Sequence, residues 1–230
     1  MRKALVLWSG GLDSTAVLIK ALEEYTDYEI GAVFFDYNQL ARGVELNALR
    51  ELTRYIRRYR KDIEHRFLGF KTYVVPMSEH IMTGGESQPL ASGFAVRFMP
   101  MRNTVFACLA YNYARHMGAD LVMIGVCMPI VGDPESNRFP DCTELWVRMI
   151  NDIYANENTT APDDSYKVRL EAPFVNMSKK ELYNDMLLRD IPIRMTWSCD
   201  FPRFRGQTVF GPRDVPCGEC PKCTAKTLLP

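Results

Sequence analysis

Residues 3–8 form a short apolar run without polar alternation, the pattern of a strand covered on both faces. Residues 15–24 then read as a helix, and residues 30–35 as a second buried strand. Leu49, Leu52, Ile56, Tyr59 and Ile63 recur three and four apart and mark one face of the helix that follows. A third strand is expected over 72–75, a helix with few charges over 103–116 and a fourth strand over 120–126. Strand and helix patterns alternating at this spacing predict an α/β fold, a doubly wound, mostly parallel sheet with helices on both faces. The last third changes character: a helix over 144–153, a polar stretch over 156–165, a short strand over 167–172 and a helix from Lys179. Ser178 and Glu181 have the spacing of a capping box at the start of that last helix. Residues 84–93, rich in Gly, Ser and Pro, read as a mobile loop. We therefore divide the chain into an α/β domain over 1–155 and a C-terminal helical region over 156–230.

Composition narrows the class. At 230 residues and 47% hydrophobic the chain can bury a sizeable core, as expected of a globular protein. Lys plus Arg equals Asp plus Glu at 28 each, so global charge gives no reason to expect a polyanion, and a nucleic-acid partner is disfavoured. The stretch RYIRRYRK at 54–61 interleaves tyrosines with basic residues, but its tyrosines fall on the stripe of Ile56 and Ile63, which favours a core face with a solvated basic side. The N-terminal apolar stretch is too short for a signal peptide, and no window approaches the ~20 apolar residues of a spanning helix, so we expect a cytoplasmic protein with no membrane partner. Asn158-Thr159-Thr160 and Asn176-Met177-Ser178 fit the glycosylation pattern, which without a secretory signal carries little meaning. Cys108 and Cys127 lie in apolar segments and read as small core residues.

The first strong chemical signal is SGGLDST at 9–15, between the first strand and the first helix. A helix N-terminus offers backbone N–H groups and a positive dipole end, and glycines let the backbone approach phosphate oxygens closely. Ser9, Ser14 and Thr15 add hydroxyl donors. The lysine of G-x-x-x-x-G-K-[ST], which reaches the terminal phosphates for γ-phosphoryl transfer, is missing. A loop that instead holds the β and γ phosphates as departing pyrophosphate leaves the α-phosphorus open to attack.

The second signal is PCGECPKC at 216–223, where Cys217, Cys220 and Cys223 form two overlapping C-x-x-C steps. Seven cysteines scattered in this way do not form a disulfide framework. Thiolates this close can share one zinc ion at a sulfur distance near ~2.3 Å, and Cys199 is the natural fourth ligand. Redox or persulfide chemistry stays open, although a single C-x-x-C does not need three cysteines.

The loop SGGLDST matches the SGGxDS signature of the ATP pyrophosphatase, or PP-loop, families, which it resembles; these adenylate a substrate oxygen and release pyrophosphate. The whole chain is similar to the 7-cyano-7-deazaguanine synthases, the QueC type of PP-loop enzyme. The resemblance is carried in order by SGGLDST, FDYNQ at 35–39, FMPMRN at 98–103, IGVC at 124–127, FPDC at 139–142, EAPFVNMSKKEL at 171–182, TWSC at 196–199 and PCGECPKC. It implies a PP-loop, HUP-like fold with a small helical zinc-binding C-terminal region, a homodimer, and an ATP-dependent C–N ligase with ATP, Mg²⁺ and Zn²⁺. The reaction it implies uses ATP twice on 7-carboxy-7-deazaguanine: ammonia displaces AMP from the adenylated carboxylate, and the amide oxygen is then adenylated and lost as AMP, leaving the nitrile. By motif position, Trp8, Ser9, Gly10, Gly11, Leu12, Asp13, Ser14, Thr15, Ala16, Val17 and Leu18 hold ATP, with Asp13 near Mg²⁺ or orienting the loop. Arg102 is suited to phosphate or to charge developing at the reacting carboxyl, and Asn103 and Asp141 to the donors and acceptors of a guanine-like ring. Cys142, next to Asp141 in sequence, is open between a small core residue and one that lines the site.

The chain departs from the family pattern in three places. YNQLARG stands where the family has YGQRH; Met101 occupies the glycine position of a P-G-R-N turn; and MPIVGDPESNRFPDC at 128–142 is longer than the family's ETDFSGYPDC. The last departure keeps open a ligase that stops at the amide or passes the acyl group to another amine. A PP-loop tRNA sulfur-transfer enzyme is a third class, permitted by the tail cysteines and disfavoured by the balanced charge.

Overall fold

A computed structural model of the chain describes residues 1–75, 77, 99–128, 139–160, 167–208, 211–220 and 222–223, with the backbone alone over 204–208 and 211–214. The expected mobile loop over 84–93 and the bulk of the lengthened 128–142 segment lie outside these residues. Five strands, β1 (Arg2–Leu7), β2 (Tyr28–Asp36), β3 (Phe67–Val74), β4 (Leu121–Ile124) and β5 (Arg169–Glu171), form an all-parallel sheet in the order β3-β2-β1-β4-β5. The helices α1 (Leu12–Glu24), α2 (Arg42–Tyr59), α3 (Arg102–Met117), α4 (Glu144–Asn158) and α5 (Lys179–Leu188) complete the α/β fold. A two-stranded antiparallel hairpin, β6 (Arg203–Thr208) and β7 (Gly211–Val215), precedes the tail cysteines and has no counterpart in the expected elements.

The unalternating run of β1 follows from its position at the centre of the sheet. Ala4 and Val6 face one apolar layer with α1, α2 and α5, where Leu18, Leu49, Leu52, Ile56, Leu182 and Met186 pack. Leu5 and Leu7 face the opposite layer with α3 and α4. There the small side chains Ala107, Ala110 and Ala114 bring α3 close to the sheet, and Trp146, Ile150 and Tyr154 of α4 fill the space beyond.

Local signals account for several boundaries. Ser178 accepts a hydrogen bond from Glu181 N–H, and the Glu181 carboxylate accepts from Ser178 N–H, the reciprocal cap expected from the sequence. Thr143 caps α4 by accepting from Trp146 N–H at 3.1 Å. The α2 stripe needs one correction. The helix ends at Tyr59, which is 63% exposed, and Ile63 is buried from the turn beyond it. Cys127 is buried as expected, whereas Cys108 is exposed on α3.

Two non-glycine residues adopt the backbone glycine favours: Asn38 and Met101 both have φ near +61°. Asn tolerates this region, but Met does not, and the conformation costs about 1–2 kcal/mol at Met101. One glycine is forced by space. A Cβ on Gly125, just after β4, would lie 2.6 Å from the Ser14 amide nitrogen, in the first turn of α1. Gly125→Ala should therefore push α1 off β4 and lower stability by about 1–3 kcal/mol, read as a drop in the urea midpoint at unchanged m.

Candidate functional site

In an open parallel sheet the ligand crevice lies beyond the carboxyl ends of the strands, where the strand order reverses. Here that point falls between β1 and β4. The turn after β1 carries the glycine pair and the turn after β4 carries Gly125, so the first turn of α1 lies directly over the crevice.

The β1–α1 loop is fixed by close approach. Gly10 has φ +76°, and a Cβ there would sit 3.1 Å from the Glu45 carbonyl oxygen and 3.2 Å from the Ala48 Cβ. Its carbonyl accepts a hydrogen bond from Trp197 N–H at 2.9 Å. Gly11 starts α1 without a side-chain cap, so no side chain competes for the first-turn amides. Ser9 and Ser14 share a 3.1 Å hydroxyl contact, and Ser14 Oγ also accepts from Ser9 N–H at 3.2 Å. Trp8, Ala16, Val17 and Leu18, expected at the nucleotide, are buried in the core, where the Trp8 indole donates to Thr15 Oγ1 at 3.1 Å.

A lysine absent from the loop's own sequence reaches it from the far end of the chain. Lys179, the first residue of α5, donates to both carboxylate oxygens of Asp13. Burial opposes its charge, but Asp13 outweighs burial and holds the ammonium above its ordinary range. Cys127 Sγ lies 4.0 Å from Asp13 Oδ2, and burial followed by the Asp13 charge pushes its thiol up to about 11. It is a neutral wall rather than a nucleophile at neutral pH. The sequence placed Lys179 inside a family stretch and on a capped helix, and nothing in its spacing pointed to Asp13.

The start of α3 supplies the other side. Asn103 N–H donates to Asp141 Oδ2 at 3.2 Å, and Asn103 Nδ2 donates to the Asp141 carbonyl at 3.1 Å. The two residues expected to read a ring are thus brought together, with Cys142 Sγ 3.5 Å from Asn103 Nδ2. Burial raises the pKa of Asp141 and pushes the Cys142 thiol up to about 12. Arg102 Nη1 donates to Tyr37 Oη at 3.3 Å and feels the charges of Asp200 and Asp141.

The tail cysteines converge as their spacing requires. The sulfurs of Cys199, Cys217, Cys220 and Cys223 lie within 4.8 Å of one another, with Cys217–Cys223 at 3.9 Å and Cys199–Cys220 at 4.0 Å. Four sulfurs at ~2.3 Å from one ion would stand ~3.8 Å apart, so the set fits a tetrahedral metal. Cys217 N–H donates to Cys199 Sγ and Cys220 N–H to Cys217 Sγ, both at 3.3 Å, as suits thiolates. Two links tie this knuckle to the crevice. Trp197 holds Gly10 two residues before Cys199, and Lys222, between two of the cysteines, donates to Asp200 at 2.6 Å.

With the loop, the Asn103–Asp141 pair and the cysteine cluster placed, comparison with known proteins becomes specific. The family described as "Queuosine biosynthesis protein QueC" matches residues 3–228. The chain belongs to the QueC family. It is 29% identical over 227 residues to the 7-cyano-7-deazaguanine synthase of Nautilia profundicola, covering 97% of this chain and 90% of that protein. To the protein of the same name from Aliarcobacter butzleri it is 28% identical over 225 residues, covering 96% and 88%. Among solved structures, the U34-tRNA thiolase NcsA from Methanococcus maripaludis aligns with a TM-score of 0.47 at 12% identity, covering 83% of this chain and 58% of that one. Among the described residues of this QueC-family chain, no helix is long and apolar enough to cross a membrane.

The ion pair at the loop lends itself to direct measurement. Asp13 and Lys179 are each about three-quarters covered, with side-chain exposures of 24%. A double-mutant cycle with Asp13→Asn and Lys179→Met, followed by urea unfolding, should give a coupling above the roughly 1 kcal/mol ceiling of exposed pairs. A coupling near zero would mean that the lysine is not held at the loop in solution.

Proposed function

We propose that this QueC-family enzyme converts 7-carboxy-7-deazaguanine and ammonia to 7-cyano-7-deazaguanine at the expense of two ATP, for queuosine synthesis or for deazapurine modification of DNA. The observation that carries this reading is the SGGLDS loop, clamped over the crevice by Gly10, Gly125 and Trp197, in a chain whose relatives bear that enzyme's name.

Residues 9–15 and the first-turn amides of α1 bind the β and γ phosphates and hold them as pyrophosphate departs. Lys179 lies beside the loop and offsets negative charge there, as the loop lysine does in kinase-like motifs, while Asp13 sets its position. The substrate carboxylate oxygen attacks the α-phosphorus, and the bond to pyrophosphate breaks. Ammonia then adds to the acyl carbon and the C–O bond to AMP breaks, giving the amide. In the second round the amide oxygen attacks the α-phosphorus of a second ATP and the bond to pyrophosphate breaks; loss of both N–H protons and departure of AMP leave the nitrile. Arg102 faces the charge developing at the reacting carboxyl, and Asn103 with Asp141 reads the ring edge. Magnesium bound with ATP supplies charge neutralisation on the triphosphate. Zinc on Cys199, Cys217, Cys220 and Cys223 serves as a structural staple. We place the enzyme in the cytoplasm. We also infer a homodimer, for which the exposed stripe Leu145, Met149 and Ile153 on α4 is the candidate contact.

The first test is mass spectrometry of an incubation with ATP, Mg²⁺, ammonium and 7-carboxy-7-deazaguanine, alongside AMP and pyrophosphate release. The nitrile should accumulate with AMP, and Asp13→Ala should abolish both. AMP release with a product that stops at the amide would assign the lengthened 128–142 segment a changed acceptor chemistry. Metal analysis should find one zinc per chain. Cys220→Ser should release that zinc and weaken ATP binding roughly tenfold by calorimetry, about 1.4 kcal/mol, because the knuckle holds Gly10 through Trp197.

A further inference from the structure

Ammonia is a nucleophile only as the free base, and at neutral pH it arrives almost wholly as ammonium. The reaction proposed above therefore needs a proton acceptor next to the activated acyl group. Neither the loop nor the pair Asn103 and Asp141 offers one: Asp13 is bound through both oxygens to Lys179, and Asp141 accepts from Asn103 N–H through Oδ2 and faces the Cys142 thiol at 4.0 Å through Oδ1.

One carboxylate at the edge of the loop has no such engagement. Glu45 lies in the first turn of α2, and its own carbonyl lies 3.1 Å from the Cβ position of Gly10. Its Oε2 accepts from Gln39 Nε2 at 2.7 Å, while Gln39 Oε1 accepts from Tyr37 N–H at 3.0 Å. This anchors the side chain through the turn that follows β2. Its Oε1 has no hydrogen-bond partner among the described residues.

The charges facing Glu45 come from each element packed around it: Arg102 at the start of α3, and Asp200 and Lys222 from the cysteine knuckle. Lys222 is paired with Asp200 at 2.6 Å, while Arg102 donates to the Tyr37 hydroxyl and keeps its positive charge beside Asp200 and Asp141. On its own helix, the nearest cation, Arg42, is bound to Asp36 at 2.5 Å.

Resting on the reaction assigned above, we propose that Glu45 is the ammonium site and the general base of the amide-forming step. Ammonium donates one N–H to Glu45 Oε1 and transfers that proton to it. The lone pair released attacks the acyl carbon of the adenylate, the C–O bond to AMP breaks, and the second proton leaves with solvent. The neighbouring guanidinium of Arg102 favours the neutral form of the nucleophile over the cation. Burial pushes the Glu45 carboxyl up to about 7, opposed by the Gln39 hydrogen bond, so near neutral pH the group can both take and return a proton. Its ionised form does the work, so kcat/KM for ammonium should rise with pH through about 7 and level above it.

The test separates proton transfer from activation. ATP–pyrophosphate exchange with 7-carboxy-7-deazaguanine reports adenylation alone, and hydroxylamine, already unprotonated at neutral pH, reports attack without the need for a base. Glu45→Gln keeps an acceptor for Gln39 and should retain exchange and hydroxamate formation within a few fold. It should lower kcat/KM for ammonium roughly 100-fold and lose the limb near pH 7. Glu45→Asp should recover part of the ammonium rate together with the limb. Equal losses with hydroxylamine and ammonium, or an unchanged ammonium rate, would overturn the assignment to Glu45. No exchange in the wild-type protein would overturn the reaction itself, and this proposal with it.

Discussion

Everything in the crevice depends on how closely three backbones approach one another without a side chain between them. Gly10 lets α2 pack against the loop, Gly125 lets the first turn of α1 rest on the end of β4, and Gly11 admits the Trp197 carbonyl at 3.3 Å from its Cβ position. A hydrogen bond from Trp197 N–H then fixes Gly10 from the C-terminal side. Anion binding by a helix N-terminus relies on amides that point at one place and lie close to it. Methyl groups at these positions would move the loop away from α1 and the sheet by more than such geometry tolerates. The strand order provides the crevice, and the missing Cβ atoms shape it.

Charge is distributed on the same plan. A loop without its own lysine would leave the leaving pyrophosphate to amides and hydroxyls alone. The capping box at Ser178 starts α5 where Lys179 can meet Asp13, so a cation is returned to the loop from a position 166 residues away in sequence. Asp13 outweighs the burial that would otherwise discharge the lysine. Because the lysine is tethered by an ion pair rather than by the loop backbone, it can shift when a triphosphate arrives and competes for it. This arrangement suits the proposed reaction, in which the loop's ligand departs as pyrophosphate.

Much of this was legible in the sequence, for local reasons. The strand–loop–helix unit, the capping box and the cysteine knuckle all rest on spacing or on short motifs, and each is found in the structure. Long-range juxtapositions were not legible. Lys179 with Asp13, Trp197 with Gly10 and Lys222 with Asp200 depend on which loops meet at the sheet edge, and no periodicity records that. The hairpin of β6 and β7 escaped because RFRGQT and GPRDV lack the alternation of a half-buried strand. Tyr59 misled because it is the last residue of α2, exposed where the chain turns away at Arg60, whose N–H closes the last bond to the Ile56 carbonyl.

The strained residues deepen the same picture. Asn38 and Met101 sit at φ near +61° in the two turns that lead into α2 and α3, the helices whose first turns carry Glu45 and Arg102. Asn38 is eased by its N–H bond to Asp36 Oδ1 at 3.1 Å, whereas Met101 is 61% exposed, with no burial to offset its strain. A turn in a left-handed conformation sets the direction in which the next helix leaves, and so aims its first-turn side chains. Where glycine would hold that turn loosely, a non-glycine residue in the same well has fewer alternative conformations to visit. The cost at Met101 therefore bears on the aim of Arg102, one residue later, and links a local backbone penalty to the placement of charge in the crevice.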